Sequence, residues 1–293
     1  MVRTAGLNLT YIIRNNLPGR TVICYPLSGK TDSQGRAIMS ESDLIDYLRV
    51  NNNIKWFTGH QLRLFEGRYS SLPNAKYMTF FRNPIDRYLS HFQQWNLKHE
   101  SSESIERRIN DKKENNYMVR FLADTEDLEK AKSVIDQNLD FIGFAEKFDI
   151  SLLLMKQYLN LDDKFDLRYA MIKHMTGKTP GRNYLDNKFS YLPQDYKEKI
   201  IQNNTLDIEL YEYAKIRFNK QIANYKGSLK SDFIKLKKNS KNFKFHRYQV
   251  YLWRLDFLLR YKIRLEPSFL QCSCSRIRLK HSNKCKVCEA DFG

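Results

Sequence analysis

Short apolar runs, each closed by a turn-forming or polar residue, alternate with longer stretches in which apolar positions recur every three or four residues. The runs at 20–26, 54–60 and 77–81 read as strands. In the last, Thr79 is the only small polar residue among aromatic and apolar neighbours, the composition of a short strand buried in a parallel sheet. Asn83-Pro84 ends it, because proline removes a ladder donor. The periodic stretches predict helices. One follows Thr4-Ala5-Gly6 and carries Leu9, Ile12 and Ile13; a second spans 40–49 with Ser40 as its cap. Another covers 85–95, with Leu89, Phe92 and Trp95 near one face and Pro84 in the first turn. Further helices are expected at 128–137, at 152–159 behind the caps Asp149 and Ser151, and at 203–218 with Leu206, Leu210, Ala214 and Ile216 on the apolar face. Residues 248–263 form a last amphipathic pattern. Between these, 28–40 reads as a loop, 98–116 as a solvated loop and helix, and the lysine-rich 227–244 as a linker. Cys24, inside an apolar run, reads as a small buried hydrophobe.

Strands interleaved with helices predict an α/β domain with a parallel sheet. In such sheets ligands collect at the carboxyl ends of strands. Arg82 stands at such an end, Ser90 lies eight residues later, about two helical turns on, and Arg87 lies between them. Two guanidinium groups and a hydroxyl in that arrangement suit a phosphate group, although a buried strand followed by a surface helix with ordinary salt bridges fits the same spacing. Thr4-Ala5-Gly6 is a small-residue turn running into a helix, and the free amides of a helix start bind anions. Gly59-His60 closes the strand before the Arg82 strand; a single histidine in such a place is, by itself, more often structural.

The stretch Arg82-Asn-Pro-x-x-Arg87-x-x-Ser90-x-Phe92 resembles the 3′-phosphate-binding motif of the sulfotransferases that use 3′-phosphoadenosine 5′-phosphosulfate (PAPS), and is closest to the carbohydrate and heparan-sulfate type. The likeness extends over roughly residues 2–220. Arg3-Thr4-Ala5-Gly6-Leu7-Asn8 resembles the 5′-phosphosulfate loop, which in the family usually reads Lys-Thr-Ala-Gly-Thr-Thr/Ser-Leu. Arg3 stands in place of the family lysine, and Leu7 and Asn8 in place of hydroxyl residues. A strand precedes this loop in the family, whereas only Met1 and Val2 precede it here, which reads as a shortened first strand. Phe141-Ile-Gly-Phe-Ala-Glu-Lys-Phe-Asp-Ile-Ser-Leu resembles a strand-to-helix segment of the same family, to which no chemistry is assigned. Residues 116–123 resemble a further family segment, with Arg120 either touching substrate or bracing the site.

The resemblance implies a three-layer, P-loop-like α/β fold with a central parallel sheet over 1–225. It implies transfer of a sulfuryl group from PAPS to a hydroxyl acceptor, a saccharide or polysaccharide. Arg82 and Ser90 would hold the 3′-phosphate, and the Arg3–Asn8 loop the 5′-phosphosulfate, with Arg3 also stabilising the bridging oxygen. His60 would accept the acceptor proton, with Glu66 next in line, while His91 is read as surface or packing. Lys178 and Arg182, in the basic loop 173–182, would close over the nucleotide phosphates as a late basic loop does in the family.

Charge adds a second theme. The 293 residues carry a net +17, yet from Lys220 onward there are 18 Lys and Arg against 5 Asp and Glu. That segment therefore holds +13, leaving +4 for the first 219 residues. A basic tail points to a polyanionic partner: polysaccharide, nucleic acid or membrane surface. Residues 226–293 read as a basic helical extension with a zinc-ribbon-like end. Four of the five cysteines, Cys272, Cys274, Cys285 and Cys288, fall there as two close pairs able to hold structural zinc, with His281 as a spare ligand and free or redox-active thiols as the alternative. No apolar stretch is long enough to span a membrane, no signal-peptide pattern opens the chain, and the cysteines do not resemble a secreted disulfide framework, so a cytoplasmic protein is expected. Two other classes fit parts of the chain. One is a P-loop-type nucleotide kinase, which lacks its Gly-Lys-Ser/Thr loop here; the other is a nucleic-acid or polyanion binder built on the tail.

Overall fold

The computed structural model describes residues 4–95, 102–169, 192–241 and 243. Elements follow in the order α1 (Gly6–Asn16), β1 (Thr21–Ile23), α2 (Glu41–Val50), β2 (Trp56–Thr58), β3 (Met78–Phe81), α3 (Pro84–Trp95), α4 (Ser102–Ile109), α5 (Tyr117–Ala123), α6 (Leu128–Gln137), β4 (Phe141–Phe144), α7 (Phe148–Tyr158), α8 (Gln194–Gln202), α9 (Thr205–Ala223) and α10 (Leu229–Ser240). This is a mixed α/β structure with parallel strands. Among the described residues the strands form two separate pairs, β1 with β2 and β3 with β4, both parallel. A two-stranded pair is not stable alone, so the helices packed on these strands supply the cohesion. Among the described residues no helix is long and apolar enough to cross a membrane.

The main core joins Leu9, Ile12 and Ile13 of α1 to Phe80 and Phe81 of β3, all of β4's apolar side chains, and the buried faces of α5, α6, α7 and α9. Aromatic rings dominate its centre: Phe144 lies 5.9 Å from Phe81, 5.1 Å from Tyr211 and 4.8 Å from Phe218, centroid to centroid. A second cluster under β1 gathers Val22, Cys24, Leu44, Tyr47 and Ile54. Cys24 is fully buried there, and burial pushes its thiol pKa far up, as expected of a cysteine used for packing. Helix α2 starts with a capping box, in which Ser40 accepts from the Asp43 amide while Asp43 accepts from the Ser40 amide.

Helices α5 and α9 cap one another. The Asn116 side-chain oxygen accepts from the Leu206 and Asp207 amides at 3.1 and 3.4 Å. In return, the Asp207 carboxylate accepts from the Met118 and Val119 amides at 2.9 and 2.8 Å. Two of the orphan donors at each helix start are thereby satisfied.

Gly143 faces Phe80 across the β3–β4 pair, and a Cβ at that position would stand 2.6 Å from the Phe80 ring. Phe80 is buried and packed against Phe141 and Phe148, so moving its ring disturbs those contacts. Gly143→Ala should destabilise the protein by about 1–3 kcal/mol, the usual cost of overpacking. Urea unfolding checks this, and an unchanged midpoint would mean that the ring can turn aside.

Several sequence expectations are amended. Helix α7 begins at Phe148, before both expected caps. Ser151 is fully buried, and its hydroxyl bonds the Phe144 amide, the Phe144 carbonyl and the Lys147 carbonyl, tying α7 to the end of β4. On α9 the apolar face runs through Leu210, Ala214 and Phe218, while Ile216 is 59% exposed. The stretch read as a lysine-rich linker contains α10, capped by Ser228, with Leu236 buried and Leu229 and Phe233 against the main core. Spacings of four and three residues put those three on one side, and the lysines between them hide the stripe from a composition-based reading. The expected helix at 248–263 lies outside the described residues.

Candidate functional site

The first half of the site is the start of α1. Ala5 takes a left-handed conformation, φ 64°, immediately before the helix, and as the N-cap residue makes no side-chain bond to the first turn. An alanine held there costs about 1–3 kcal/mol of local strain, and such outliers concentrate where backbone amides must point at a ligand. Thr10 of α1 meets the carboxyl end of β2 at Thr58. Thr10 donates to the Gly6 carbonyl at 2.8 Å, and its hydroxyl oxygen lies 3.3 Å from that of Thr58. The next two residues after β2 are Gly59 and His60. A Cβ on Gly59 would stand 3.1 Å from the Cys24 carbonyl oxygen, so glycine lets the chain leave β2 close against β1. His60 follows as an exposed side chain. The expected phosphosulfate loop and the expected base thus come from neighbouring elements: Thr4, Ala5, Gly6, Leu7 and Asn8 from the α1 start, His60 from the end of β2.

The second half is the β3–α3 junction. Arg82 is half-buried just past β3. Burial lowers its pKa, while Asp86 and Glu146 act in the opposite direction; a guanidinium remains charged throughout. The Asn83 amide donates to Glu146 at 2.5 Å. The Asn83 side-chain oxygen accepts from the Ile85 and Asp86 amides at 3.0 and 3.2 Å, which caps α3. This anchoring fixes the direction in which α3 leaves the strand. Ser90, on that helix, is 95% buried. Arg87 does not stand in solvent as a second prong. It is fully buried, 4.3 Å over the Tyr117 ring, with Nη2 donating to the Glu114 carbonyl at 3.4 Å and Nη1 3.8 Å from the Glu114 carboxylate.

Glu114 gathers positive charge. His91 Nδ1 lies 2.9 Å from its carboxylate and 3.0 Å from Arg108 Nη2, so that nitrogen either donates to Glu114 or accepts from Arg108. His91 is thus part-buried and engaged with Glu114 and Arg108. Burial alone would raise the Glu114 pKa, but the His91 hydrogen bond and the charges of His91, Arg87 and Arg108 bring it from an ordinary 4.5 down to about 2. A carboxylate whose folded pKa is depressed stabilises the fold above its ordinary pKa and loses that contribution as pH falls through the folded value. The thermal midpoint of the parent should therefore fall more steeply than that of Glu114→Gln between about pH 4.5 and pH 2. Parallel acid curves would refute this.

Other expected residues have clear surroundings. Arg120 bonds Glu126 from its own helix and braces the loop after α5. Glu66 is 62% exposed and paired with Lys30. The sequence reading did not single out Arg36, Arg63, Tyr117, Glu114 or Asp207, whose partners lie far along the chain. Arg3, Lys178, Arg182, Cys272, Cys274, Cys285 and Cys288 lie outside the described residues. Among the described residues, no group of three or more His, Cys, Asp and Glu side chains is placed to hold a metal ion. Comparison with protein-family models and with curated proteins finds no match for this chain.

Proposed function

We propose that the protein is a PAPS-dependent sulfotransferase acting on a saccharide hydroxyl, with the two strand pairs as parts of one three-layer, P-loop-like domain. The observation that carries the reading is the β3–α3 junction: a desolvated Arg82 at a strand end, followed on an anchored helix by a nearly buried Ser90. A guanidinium drawn partly out of water binds a phosphate more strongly than one in bulk solvent. The left-handed entry to α1 supports an anion-binding loop over Thr4–Asn8, and its contact with the end of β2 supports a base at His60.

In this mechanism the acceptor oxygen attacks sulfur in line. A new S–O bond forms as the S–O bond to the nucleotide breaks, and the electron pair leaves on 3′,5′-adenosine bisphosphate. The acceptor proton passes to His60. The α1 amides and Arg3 offset charge developing on the leaving oxygen, while Arg82 and Ser90 hold the 3′-phosphate, with Lys178 and Arg182 closing over the nucleotide. Lys230, Lys237 and Lys238 on α10 and Lys241 just after it are exposed and favour an anionic polymer as acceptor. The four cysteines near the carboxyl end are assigned to a structural zinc.

A thermal shift with 3′,5′-adenosine bisphosphate tests the reading. At about 100 times its dissociation constant the ligand should add about 2.7 kcal/mol of stability, with ATP giving much less. Equal or absent responses to both nucleotides would overturn it.

A further inference from the structure

The β3–β4 ladder gives up its next rung at the carboxyl end. Phe81 faces Phe144, and the Phe81 carbonyl accepts from the Ala145 amide at 2.8 Å. In a parallel ladder the following bond would run from the Asn83 amide to the Ala145 carbonyl. That amide donates to the Glu146 carboxylate at 2.5 Å instead. The Asn83 carbonyl also turns away and accepts from the Arg87 amide at 2.8 Å, in the first turn of α3. Both backbone groups of Asn83 therefore leave the sheet, and a side chain stands in for the neighbouring strand. A carboxylate closes the amino end of the pair as well, where the Tyr77 amide donates to Asp140 at 2.8 Å. Glu146 differs in what it closes: the end at which Arg82 and α3 begin.

Glu146 is itself held in place. It lies two residues past β4 and two before α7, which Ser151 ties to Phe144. The Tyr211 hydroxyl of α9 stands beside its carboxylate, and Tyr211 is 93% buried. Asn83 is bonded directly to Arg82 in the chain, so the grip on the Asn83 amide also sets where the Arg82 backbone sits. The charge of Glu146 acts on Arg82 together with that of Asp86.

We propose that Glu146 is a positioning residue for the 3′-phosphate: its carboxylate replaces the missing rung and so sets Arg82 and the start of α3 around the anion. This role rests on the sulfotransferase reading above. A ligand-holding group has to be kept close to its productive geometry by the residues behind it. A carboxylate also repels the phosphate it helps to place. By charge alone, removing Glu146 would tighten binding of the anion; by position, it loosens binding. The two roles thus predict opposite signs.

Calorimetric titrations with 3′,5′-adenosine bisphosphate and with adenosine 5′-monophosphate, which lacks the 3′-phosphate, test this on the parent, Glu146→Ala, Glu146→Asp and Glu146→Gln. The parent should prefer the bisphosphate. Glu146→Ala should narrow that preference about 10-fold, the scale of one charge-assisted hydrogen bond, while its affinity for the monophosphate stays level. Glu146→Asp draws the carboxylate back by one methylene and should narrow the preference in the same direction, which provides the readout if Glu146→Ala does not fold. Glu146→Gln should keep the parent's preference, because its amide oxygen still accepts from Asn83. A lower unfolding midpoint in Glu146→Ala with the preference intact would show a role in folding alone and overturn the proposal. Equal losses for both nucleotides would show general damage and do the same. Tighter bisphosphate binding in both Glu146→Ala and Glu146→Gln, or a Glu146→Gln that loses the preference as Glu146→Ala does, would assign the effect to charge and also overturn it. A parent without the preference would sink the sulfotransferase reading and this role together, whereas a preference that survives Glu146→Ala would sink this role alone.

Discussion

His60→Ala is expected to lower turnover about 10²–10⁴-fold, the usual contribution of a positioned general base, with 3′,5′-adenosine bisphosphate binding unchanged. The side chain is exposed and follows β2 outside the three buried apolar clusters, so its removal opens no cavity. Its stability effect should stay within about 0.5 kcal/mol, as for surface substitutions generally. A sugar hydroxyl is a weak nucleophile at neutral pH, and only the unprotonated imidazole can take its proton. The parent's rate should therefore fall on the acid side as imidazole becomes protonated, and that limb should vanish in the variant. Glu66 is a poor substitute, because its carboxylate is already paired with Lys30. Loss of bisphosphate binding or of folding in His60→Ala would make the residue structural and refute the assignment.

Arg82→Ala should weaken 3′,5′-adenosine bisphosphate about 10²-fold, the effect of losing two charge-assisted hydrogen bonds of 1.5 kcal/mol or slightly less each. The fold should tolerate the change. Asn83 anchors the junction through Glu146 and caps α3 with its own amide and side chain, and burial already disfavours the Arg82 charge. Calorimetric titration with the bisphosphate measures the affinity, and the unfolding midpoint is the control. Parent-like affinity in a folded variant would remove Arg82 from the phosphate site. Affinity lost together with the midpoint would instead assign Arg82 to the β3–α3 junction itself.

Local signals made part of this architecture readable from the sequence. The aromatic run ending in Asn83-Pro84 specifies a strand followed by a capped helix within 18 residues, and β3 and α3 follow that pattern. Ser40 and Asp43 are three residues apart and form a capping box with no help from elsewhere. What escaped depends on distant partners. Arg87 has the spacing of a phosphate ligand, but Glu114 and Tyr117, on a later turn and helix, draw it inward. Ile216 fits an apolar face on a helical wheel, yet the neighbours of α9 place Phe218 in the core and leave Ile216 outside. The arginines around Tyr117 come from three separate parts of the chain, and no local pattern connects them.

The mutual capping of α5 and α9 bears on how the chain folds. Neither helix satisfies its first amides until residues 116 and 207, separated by 91 positions, have met. Closing so long a loop costs conformational entropy before any bond repays it, and a high sequence separation slows folding. Once formed, the two helix starts can only open together. The Met118, Val119, Leu206 and Asp207 amides should then exchange with solvent as one cooperative unit, and a chain synthesised only as far as α8 would carry an α5 whose first turn is still unfinished.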